Sequence, residues 1–412
     1  MVVGDGERWQ RHAGMGLVDQ VYDEGTIASL RGDVAIGHNR YSTSGTSTIE
    51  NAQPVLQASG PEAVAVCHNG SLLHAERLAP DSSRGTSDTR LLARALSGGP
   101  GAGDWTARAE AVLSRVEGAF SLLMLHGRCL YAVRDPHGFR PLVLGQLEEG
   151  WVVASESCAF DLVGARVLRE VEPGELVCIT DAGITSRRIG IAEPSPCIFE
   201  WIYLSRPDSV VFGRSVGEVR MALGRELARE SPADADCVVA VPDSGNFAAL
   251  GFAEEAGLPL VHGLIRNHYV GRTFIEPEQQ MRAFKARLKY NVYAPQVRER
   301  RVVLVDDSLV RGTTTRALMR MLRDAGVHAI HLRISSPPLR HPCYFGVDIP
   351  DQSRLVAVGR VPGEIAELLG VDSVGYLSVA GVVRAAQSDG RVCHGCFSGR
   401  YPVSVPAGAP LE

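Results

Sequence analysis

The segment Val302-Val303-Leu304-Val305-Asp306-Asp307-Ser308-Leu309-Val310-Arg311-Gly312-Thr313-Thr314 carries the densest chemical signal in this sequence. An apolar run of strand length delivers two adjacent carboxylates, and a Gly-Thr-Thr turn then opens a helix-like pattern. The backbone N–H groups and dipole at such a helix start can receive a phosphate. The carboxylates can meet sugar hydroxyls or a Mg²⁺ held by a pyrophosphate. An isolated Asp-Asp is most often a solvated strand end. The buried strand before it and the Arg311, Gly312, Thr313, Thr314 turn after it make a phosphate site the better reading. The second signal is Cys393-x-x-Cys396, whose spacing suits thiolate ligands. By itself it admits zinc, an iron–sulfur cluster, redox chemistry or no function.

The elements that must position these residues follow two rhythms. From Met1 to about Arg188, short β-rich runs alternate with Gly and Pro turns: Ala63–Cys67, Phe120–Leu125, Cys129–Val133 and Trp151–Ala154. Helical spacing enters briefly at Asp88–Leu96, where Ser87 or Asp88 could cap the first turn. After the Pro-containing stretch Glu193–Pro196 the order becomes strand, turn, helix, strand. Cys237–Val241 leads through Pro242-Asp243-Ser244-Gly245 into a helix from Asn246 to Ala256 that Gly257 stops. Val302–Val305 leads into a helix from about Thr315 to Ala325, with Ala317, Leu318, Met321, Leu322 and Ala325 on one face and Gly326 at its end. His328–Ile334 then reads as a strand. This alternation implies a parallel α/β sheet with ligands at the carboxyl ends of its strands.

Composition excludes several classes. The 412 residues, 45% hydrophobic and 22% charged, suffice for two or three packed domains. Lys plus Arg number 42 against 47 Asp plus Glu, so there is no basic excess for a nucleic-acid backbone. No apolar run reaches the roughly 18 residues of a membrane span, and no signal-peptide layout is present, so neither nucleic acid nor membrane is an expected partner and a cytoplasmic location is expected. The nine cysteines then favour metal ligation, catalysis or burial over a disulfide framework.

The acidic-pair segment resembles the phosphoribosyl pyrophosphate (PRPP) motif of type I phosphoribosyltransferases. Its surroundings resemble the amidophosphoribosyltransferase family, also called glutamine PRPP amidotransferases. The stretches that carry the likeness are Tyr203–Ser209, Val241–Gly245, Asn267–Ile275, Ile334–Pro338 and His341–Tyr344, and the likeness runs from Asp5 to about Tyr401. It implies that Ser244, Asp306 and Asp307 surround Mg²⁺ and the ribose-pyrophosphate. Asp243 would lie in the pyrophosphate-facing loop, and Arg311 to Thr314 would hold the 5′-phosphate. Arg266 to Asn291 resembles the loop that closes over PRPP, with Arg272, Arg282, Arg287 and Lys289 as its cations. Tyr290 departs from the pattern, because the family more often has leucine there.

The first half resembles the family's N-terminal-nucleophile glutaminase domain. Gly37-His38-Asn39-Arg40-Tyr41-Ser42-Thr43 matches the segment whose arginine binds the glutamine carboxylate, a task suited to a guanidinium fork. His68-Asn69-Gly70 matches the oxyanion-hole segment, formed by the Asn69 side chain and Gly70 N–H. Thr86-Ser87-Asp88 matches the segment whose aspartate holds the substrate ammonium. The likeness gives Cys393 and Cys396 two partners, Cys197 and Cys343, at the positions that ligate a [4Fe–4S] cluster in one branch of the family; a zinc site or buried thiols are the alternatives. Cys67, Cys129, Cys158, Cys178 and Cys237 remain as expected buried thiols.

The family's nucleophile is a cysteine at the mature N-terminus, and Met1-Val2-Val3-Gly4-Asp5 aligns instead with an internal strand. Cys67, at an ordinary strand position, is not a substitute. Either the start lies further upstream or the chain uses free ammonia. Retention of Arg40, Asn69, Gly70 and Asp88 favours the first, and a chain starting at Met1 would have a poorly stable first half.

The expected architecture is therefore a truncated glutaminase sandwich over residues 1–190, a type I phosphoribosyltransferase parallel α/β domain over 191–360, and a tail with cluster ligands over 361–412. The implied function is formation of 5-phosphoribosylamine from PRPP and glutamine-derived ammonia, the first step of de novo purine synthesis. Mg²⁺ and a [4Fe–4S] cluster are the implied cofactors, and purine nucleotide inhibition and a homo-oligomer are implied as well. The rival expectations are a PRPP-binding regulatory paralogue and an ammonia-dependent enzyme of a specialised pathway.

Overall fold

The computed structural model describes residues 1–40, 48–58, 62–79, 87–98, 104–267 and 288–405. The chain divides into two compact units. The first takes Met1–Cys197 with Cys343–Asp348 and Tyr401–Glu412; the second takes Ile198–Pro342 and Ile349–Arg400.

The first unit contains β1 (Val2–Gly4), β2 (Trp9–Arg11), β3 (Val34–Ile36), β4 (Val55–Gln57), β5 (Val64–Leu73) and β6 (Glu117–His126). It continues with β7 (Cys129–Arg134), β8 (Val143–Leu147), β9 (Gly150–Ala154), β10 (Arg166–Glu170), β11 (Glu175–Thr180) and β12 (Gly183–Arg188). A six-stranded antiparallel sheet runs in the order β12-β11-β7-β6-β5-β4, and smaller sheets run β2-β1-β3 and β10-β8-β9. The pleat explains the layering. Phe120, Leu122 and Met124 of β6 face the helices Asp88–Gly98 and Trp105–Leu113, against Leu92, Leu96 and Trp105. Leu125 faces the other way, with Ala65, Cys67, Val2 and Ile36. Phe345 stacks on Phe139 at 4.3 Å between ring centroids, and Tyr401 packs on Tyr344 and Phe345.

One cysteine expectation is corrected. Cys129 and Cys178 are joined as a disulfide with Cα atoms 6.5 Å apart. In the β11–β7 register Cys178 faces Tyr131, so Cys129, two residues earlier, is its diagonal neighbour on the same face. Cys67 and Cys237 are buried thiols as expected, and Cys158 is half-buried.

The second unit holds the short hairpin β13 (Val210–Val211) and β14 (Arg214–Ser215), then β15 (Cys237–Ala240), β16 (Leu264–Arg266), β17 (Tyr290–Val292), β18 (Arg301–Asp306), β19 (Ala329–Ile334) and β20 (Ser373–Tyr376). Its parallel sheet has the order β15-β18-β19-β20. Val302, Val303, Leu304 and Val305 are all fully buried, which is why this strand reads as a continuous apolar run and not an alternating one. The helix after it spans Thr313–Asp324, two residues earlier than its sequence pattern suggests, because Gly312 takes the left-handed conformation at φ 73° and turns the chain into it. Helix Asn246–Ala256 ends at Gly257, as expected. Among the described residues no helix is long and apolar enough to cross a membrane.

Helices Val216–Glu230 and Asn246–Ala256 approach backbone to backbone. A Cβ on Gly224 would lie 1.9 Å from the Ala248 carbonyl oxygen, and one on Gly251 would lie 1.9 Å from that of Met221. Helix propensity alone predicts that Gly224→Ala stabilises by about 1 kcal/mol. The packing predicts the opposite sign: Gly224→Ala and Gly251→Ala should each destabilise by roughly 2–4 kcal/mol. Urea unfolding followed by circular dichroism distinguishes the two, and an unchanged or raised midpoint would refute the close approach.

Candidate functional site

In the second unit, β18 carries its two carboxylates out of the sheet at the carboxyl end. The Asp307 N–H donates to Asp306 Oδ1 at 2.9 Å, and the Asp306 carbonyl accepts from Ser335 N–H at 2.9 Å, which ties the pair to the end of β19. Burial pushes the Asp306 carboxyl well above the usual carboxylate range, and the adjacent Asp307 charge pushes it further, while Lys289 acts in the opposite sense. Burial also raises Asp307, opposed by hydrogen bonds from the Ser244 and Ser308 hydroxyls and by the charge of Arg220. Two carboxylates in this setting are short of positive charge.

The loop after β15 lies beside them. The Gly245 N–H donates to Val241 O at 3.0 Å and Asn246 N–H to Asp243 O at 3.2 Å, closing a tight turn. A Cβ on Gly245 would meet Val305 O at 2.6 Å, so only glycine lets this turn lie against β18. That contact brings Ser244 to Asp307. The Asp243 carboxylate is exposed and ion-paired with Arg266 of β16. The helix Thr313–Asp324 starts immediately beyond, with Thr313 and Thr314 exposed and no side-chain cap over its first N–H groups. The structure thus brings Asp243, Ser244, Asp306, Asp307 and Lys289 together around one sheet end, with Arg311 to Thr314 forming the turn into the helix. Arg272, Arg282 and Arg287 lie outside the described residues.

In the first unit Asn69 and Gly70 sit in β5 opposite Ser121 and Phe120 of β6. Gly70 has φ 145°, and a Cβ there would meet the Ala119 carbonyl oxygen at 2.0 Å. Gly346 closes on the same spot from the other side, where its Cβ would reach the Gly70 carbonyl carbon at 2.6 Å, and Arg140 Nη2 holds the Gly346 carbonyl at 2.7 Å. Beneath this strand the buried His68 pairs with Asp88, Nδ1 to Oδ2 at 3.5 Å. Burial favours the neutral Asp88 carboxyl, but the His68 charge and hydrogen bonds from His68, Leu72 and Thr89 outweigh it and bring it down to about 2. His38 is pushed down to about 4 by burial and by the charges of His68 and Arg40. Tyr41, Ser42, Thr43 and Thr86 lie outside the described residues. Ser87 does not cap its helix through its side chain: its carbonyl accepts from Arg90 and Leu91, and Asp88 occupies the first helical position. Burial raises the Cys67 thiol to about 12, and its Sγ donates to the Gly37 carbonyl at 3.5 Å, the behaviour of an inert thiol.

Of the four candidate cluster ligands, Cys197 and Cys343 belong to the first unit and Cys393 and Cys396 to the second. The Cys393 carbonyl accepts from Ile198 N–H at 3.2 Å, and the Cys396 carbonyl accepts from Arg340 and His341 N–H at 3.1 and 3.0 Å. Among the described residues no three or more His, Cys, Asp or Glu side chains form a ready metal cage.

The sequence pattern gave no role to Arg220, nor to the side chains of Arg266 and His68 within their matched segments. Arg220 is buried, donating to the carbonyls of Trp201 and Ser205 at 2.8 and 2.7 Å. Its signal was available: it falls on the stripe Val216, Arg220, Leu223, Leu227, where a cation interrupts a core-facing pattern.

A family model described as a glutamine amidotransferase domain matches residues 38–161. An amidophosphoribosyltransferase of Mycobacterium tuberculosis is 45% identical over 425 aligned positions, covering 98% of this chain and 80% of the relative. One from Synechococcus elongatus is 46% identical over 419, covering 98% and 85%, and one from Archaeoglobus fulgidus is 44% identical over 404, covering 95% and 88%. The solved structure of the B. subtilis glutamine PRPP amidotransferase complexed with ADP and GMP superposes with a TM-score of 0.92 at 40% identity, covering all of this chain and 92% of that one. A second, described as the allosteric regulatory enzyme of purine biosynthesis, gives 0.92 at 41% identity, covering 100% and 91%.

The acidic pair sets a stability signature. A carboxyl whose folded-state pKa is raised stabilises the fold fully only below its ordinary pKa, and that contribution is lost as pH rises through the raised value. In buffer free of divalent cations, Asp306→Asn should therefore melt about 2–6 °C above the parent at pH 8, with the gap closing toward pH 4. A lower melting temperature at pH 8, or a gap independent of pH, would show that the pair is not electrostatically strained.

Proposed function

The chain belongs to the amidophosphoribosyltransferase family, and on that premise we propose that it joins ammonia to PRPP to give 5-phosphoribosylamine and pyrophosphate, the opening step of purine synthesis. The observation that carries this is the crowded Asp306–Asp307 pair at the end of β18, next to the Ser244 turn and the open start of helix Thr313–Asp324, in a chain that matches these relatives along 95–98% of its length.

In this reading the N–H groups of Gly312, Thr313 and Thr314, with Arg311, hold the 5′-phosphate. Asp306 and Asp307 accept from the ribose hydroxyls and fix the sugar. Asp243 and Ser244 face the pyrophosphate, with Lys289, Arg272, Arg282 and Arg287 as its cations. A two-carboxylate site with a hydroxyl beside it suits Mg²⁺, which takes its remaining oxygens from substrate and water; the chemistry a bound Mg²⁺ supplies is neutralisation of charge on the leaving pyrophosphate. The ammonia lone pair forms the new bond to the anomeric carbon as the bond to pyrophosphate oxygen breaks. The protein's part is to hold the sugar still and keep water away from that carbon.

Ammonia would come from solution or, where a nucleophilic cysteine completes the first unit, from glutamine. There Arg40 binds the glutamine carboxylate, Asp88 its ammonium, and Asn69 with Gly70 N–H the oxyanion. The His68–Asp88 pairing supports a fixed, ionised carboxylate at that place. Residues 1–190 would form this domain, 191–360 the phosphoribosyltransferase domain, and 361–412 the tail.

Cys197, Cys343, Cys393 and Cys396 would hold a [4Fe–4S] cluster in a structural role. Their donor chemistry, four thiols, fits such a cluster. Inhibition by purine nucleotides and assembly as a homo-oligomer complete the proposal; the nucleotides in the B. subtilis structure support the former.

Two measurements test this. With PRPP and Mg²⁺, pyrophosphate should be released with ammonium chloride, and removal of Mg²⁺ by EDTA should lower the rate at least about 100-fold. Release with glutamine in addition would show a working glutaminase; no release with either would leave a PRPP-binding paralogue as the better reading. Anaerobically purified protein should contain about four iron and four sulfide per chain, and zinc without sulfide would replace the cluster by a zinc site.

A further inference from the structure

We propose that Tyr290 is a positioning residue for the pyrophosphate-facing loop, holding the Pro242 carbonyl so that Asp243 and Ser244 stay aligned with the acidic pair. The proposal rests on the function given above and deepens it.

Tyr290 opens β17 and is the direct register partner of Arg266 in β16. The two side chains of this cross-strand pair act on consecutive residues of the same loop. The Tyr290 hydroxyl donates to Pro242 O at 3.0 Å, and the Arg266 guanidinium pairs with the Asp243 carboxylate. The ribbon thus grips the loop at two successive residues, just before Ser244, which itself reaches Asp307. Tyr290 is 6% exposed, and its ring belongs to the core that includes Val239, Val241 and Leu304. Burial and the nearby Asp306 charge raise the phenol to about 12, so at working pH the hydroxyl remains a donor. The position is anchored from behind as well: Asn267 N–H donates to Lys289 O at 2.9 Å, and Lys289 Nζ lies 5.0 Å from the Tyr290 ring centroid. Leucine at this position could fill the core but could not hold the carbonyl.

The test is Tyr290→Phe, which keeps the buried ring and removes only the donor, assayed in the full chain with PRPP, Mg²⁺ and ammonium chloride. The KM for PRPP should rise about 3- to 10-fold, the effect of losing one hydrogen bond. The kcat should stay within about twofold and the KM for ammonia unchanged, with the melting temperature lowered by no more than about 2–5 °C. Product inhibition separates positioning from general damage: pyrophosphate should inhibit the variant more weakly by a similar factor, while ribose 5-phosphate, which would use the helix start, should inhibit both proteins equally. Tyr290→Leu should reproduce the kinetic effect. Unchanged PRPP and pyrophosphate constants, or equal weakening of pyrophosphate and ribose 5-phosphate, would overturn the proposal. A parent chain that releases no pyrophosphate would overturn the function and this proposal with it, whereas an active parent matched by an unchanged Tyr290→Phe overturns the proposal alone.

Discussion

The repulsion between Asp306 and Asp307 is the constraint around which the second unit is organised. Two adjacent carboxylates at the end of a fully buried strand cannot both ionise without help, and burial raises both. What surrounds them is what such a pair requires. Hydroxyls of Ser244 and Ser308 donate to Asp307, the buried Arg220 offsets its charge, and Lys289 faces Asp306. The remaining deficit of positive charge is a reason for the site to attract a cation together with the substrate it carries. Parallel sheet geometry supplies the rest, since strands that end side by side also bring together the loops that follow them.

In the first unit the corresponding constraint is steric. The stretch at Asn69 and Gly70 is confined between the Ala119 carbonyl on one side and Gly346 on the other, with no room for a side chain at Gly70. Such rigidity would suit the oxyanion role proposed for the Gly70 N–H, because a donor that must reorganise loses much of its effect. The buried His68–Asp88 pair works to the same end. The Leu72 N–H donates to Asp88 Oδ2 at 3.2 Å, and the His68 N–H donates to Gln53 Oε1 at 2.6 Å, so the strand that carries Asn69 and Gly70 is held at residues on both sides of them.

Much of this was legible in the residues. Strand Val302–Val305 and the helix stopped by Gly257 follow from local pattern, because apolar runs and glycine stops are set by nearby residues, whereas the placement of Ser244 beside the acidic pair was implied by the family resemblance. The Cys129–Cys178 pairing was not legible: the two are 49 positions apart, and only the β11–β7 register makes them diagonal neighbours. Arg220 left a signal, a cation on an apolar helical stripe, but its partners, the carbonyls of Trp201 and Ser205, are set by tertiary packing. The helix start at Thr313 was missed by two residues, since periodicity marks the apolar face while the left-handed Gly312 decides where the turn begins.

The sequence by itself determined the chemistry on offer: which carboxylates, hydroxyls, thiols and guanidinium groups exist, and which short segments form strands, turns and helix starts. Those depend on interactions within a few residues, and they sufficed to indicate a phosphate site at the end of a parallel strand, while the PRPP and glutaminase readings came from the family resemblance. Only the tertiary structure decided how strongly those groups are perturbed and which distant residues hold them. Tyr290 against Pro242, Gly346 against Gly70 and His68 against Asp88 join residues far apart in the chain, and burial and charge are properties of the assembled neighbourhood and not of any segment within it.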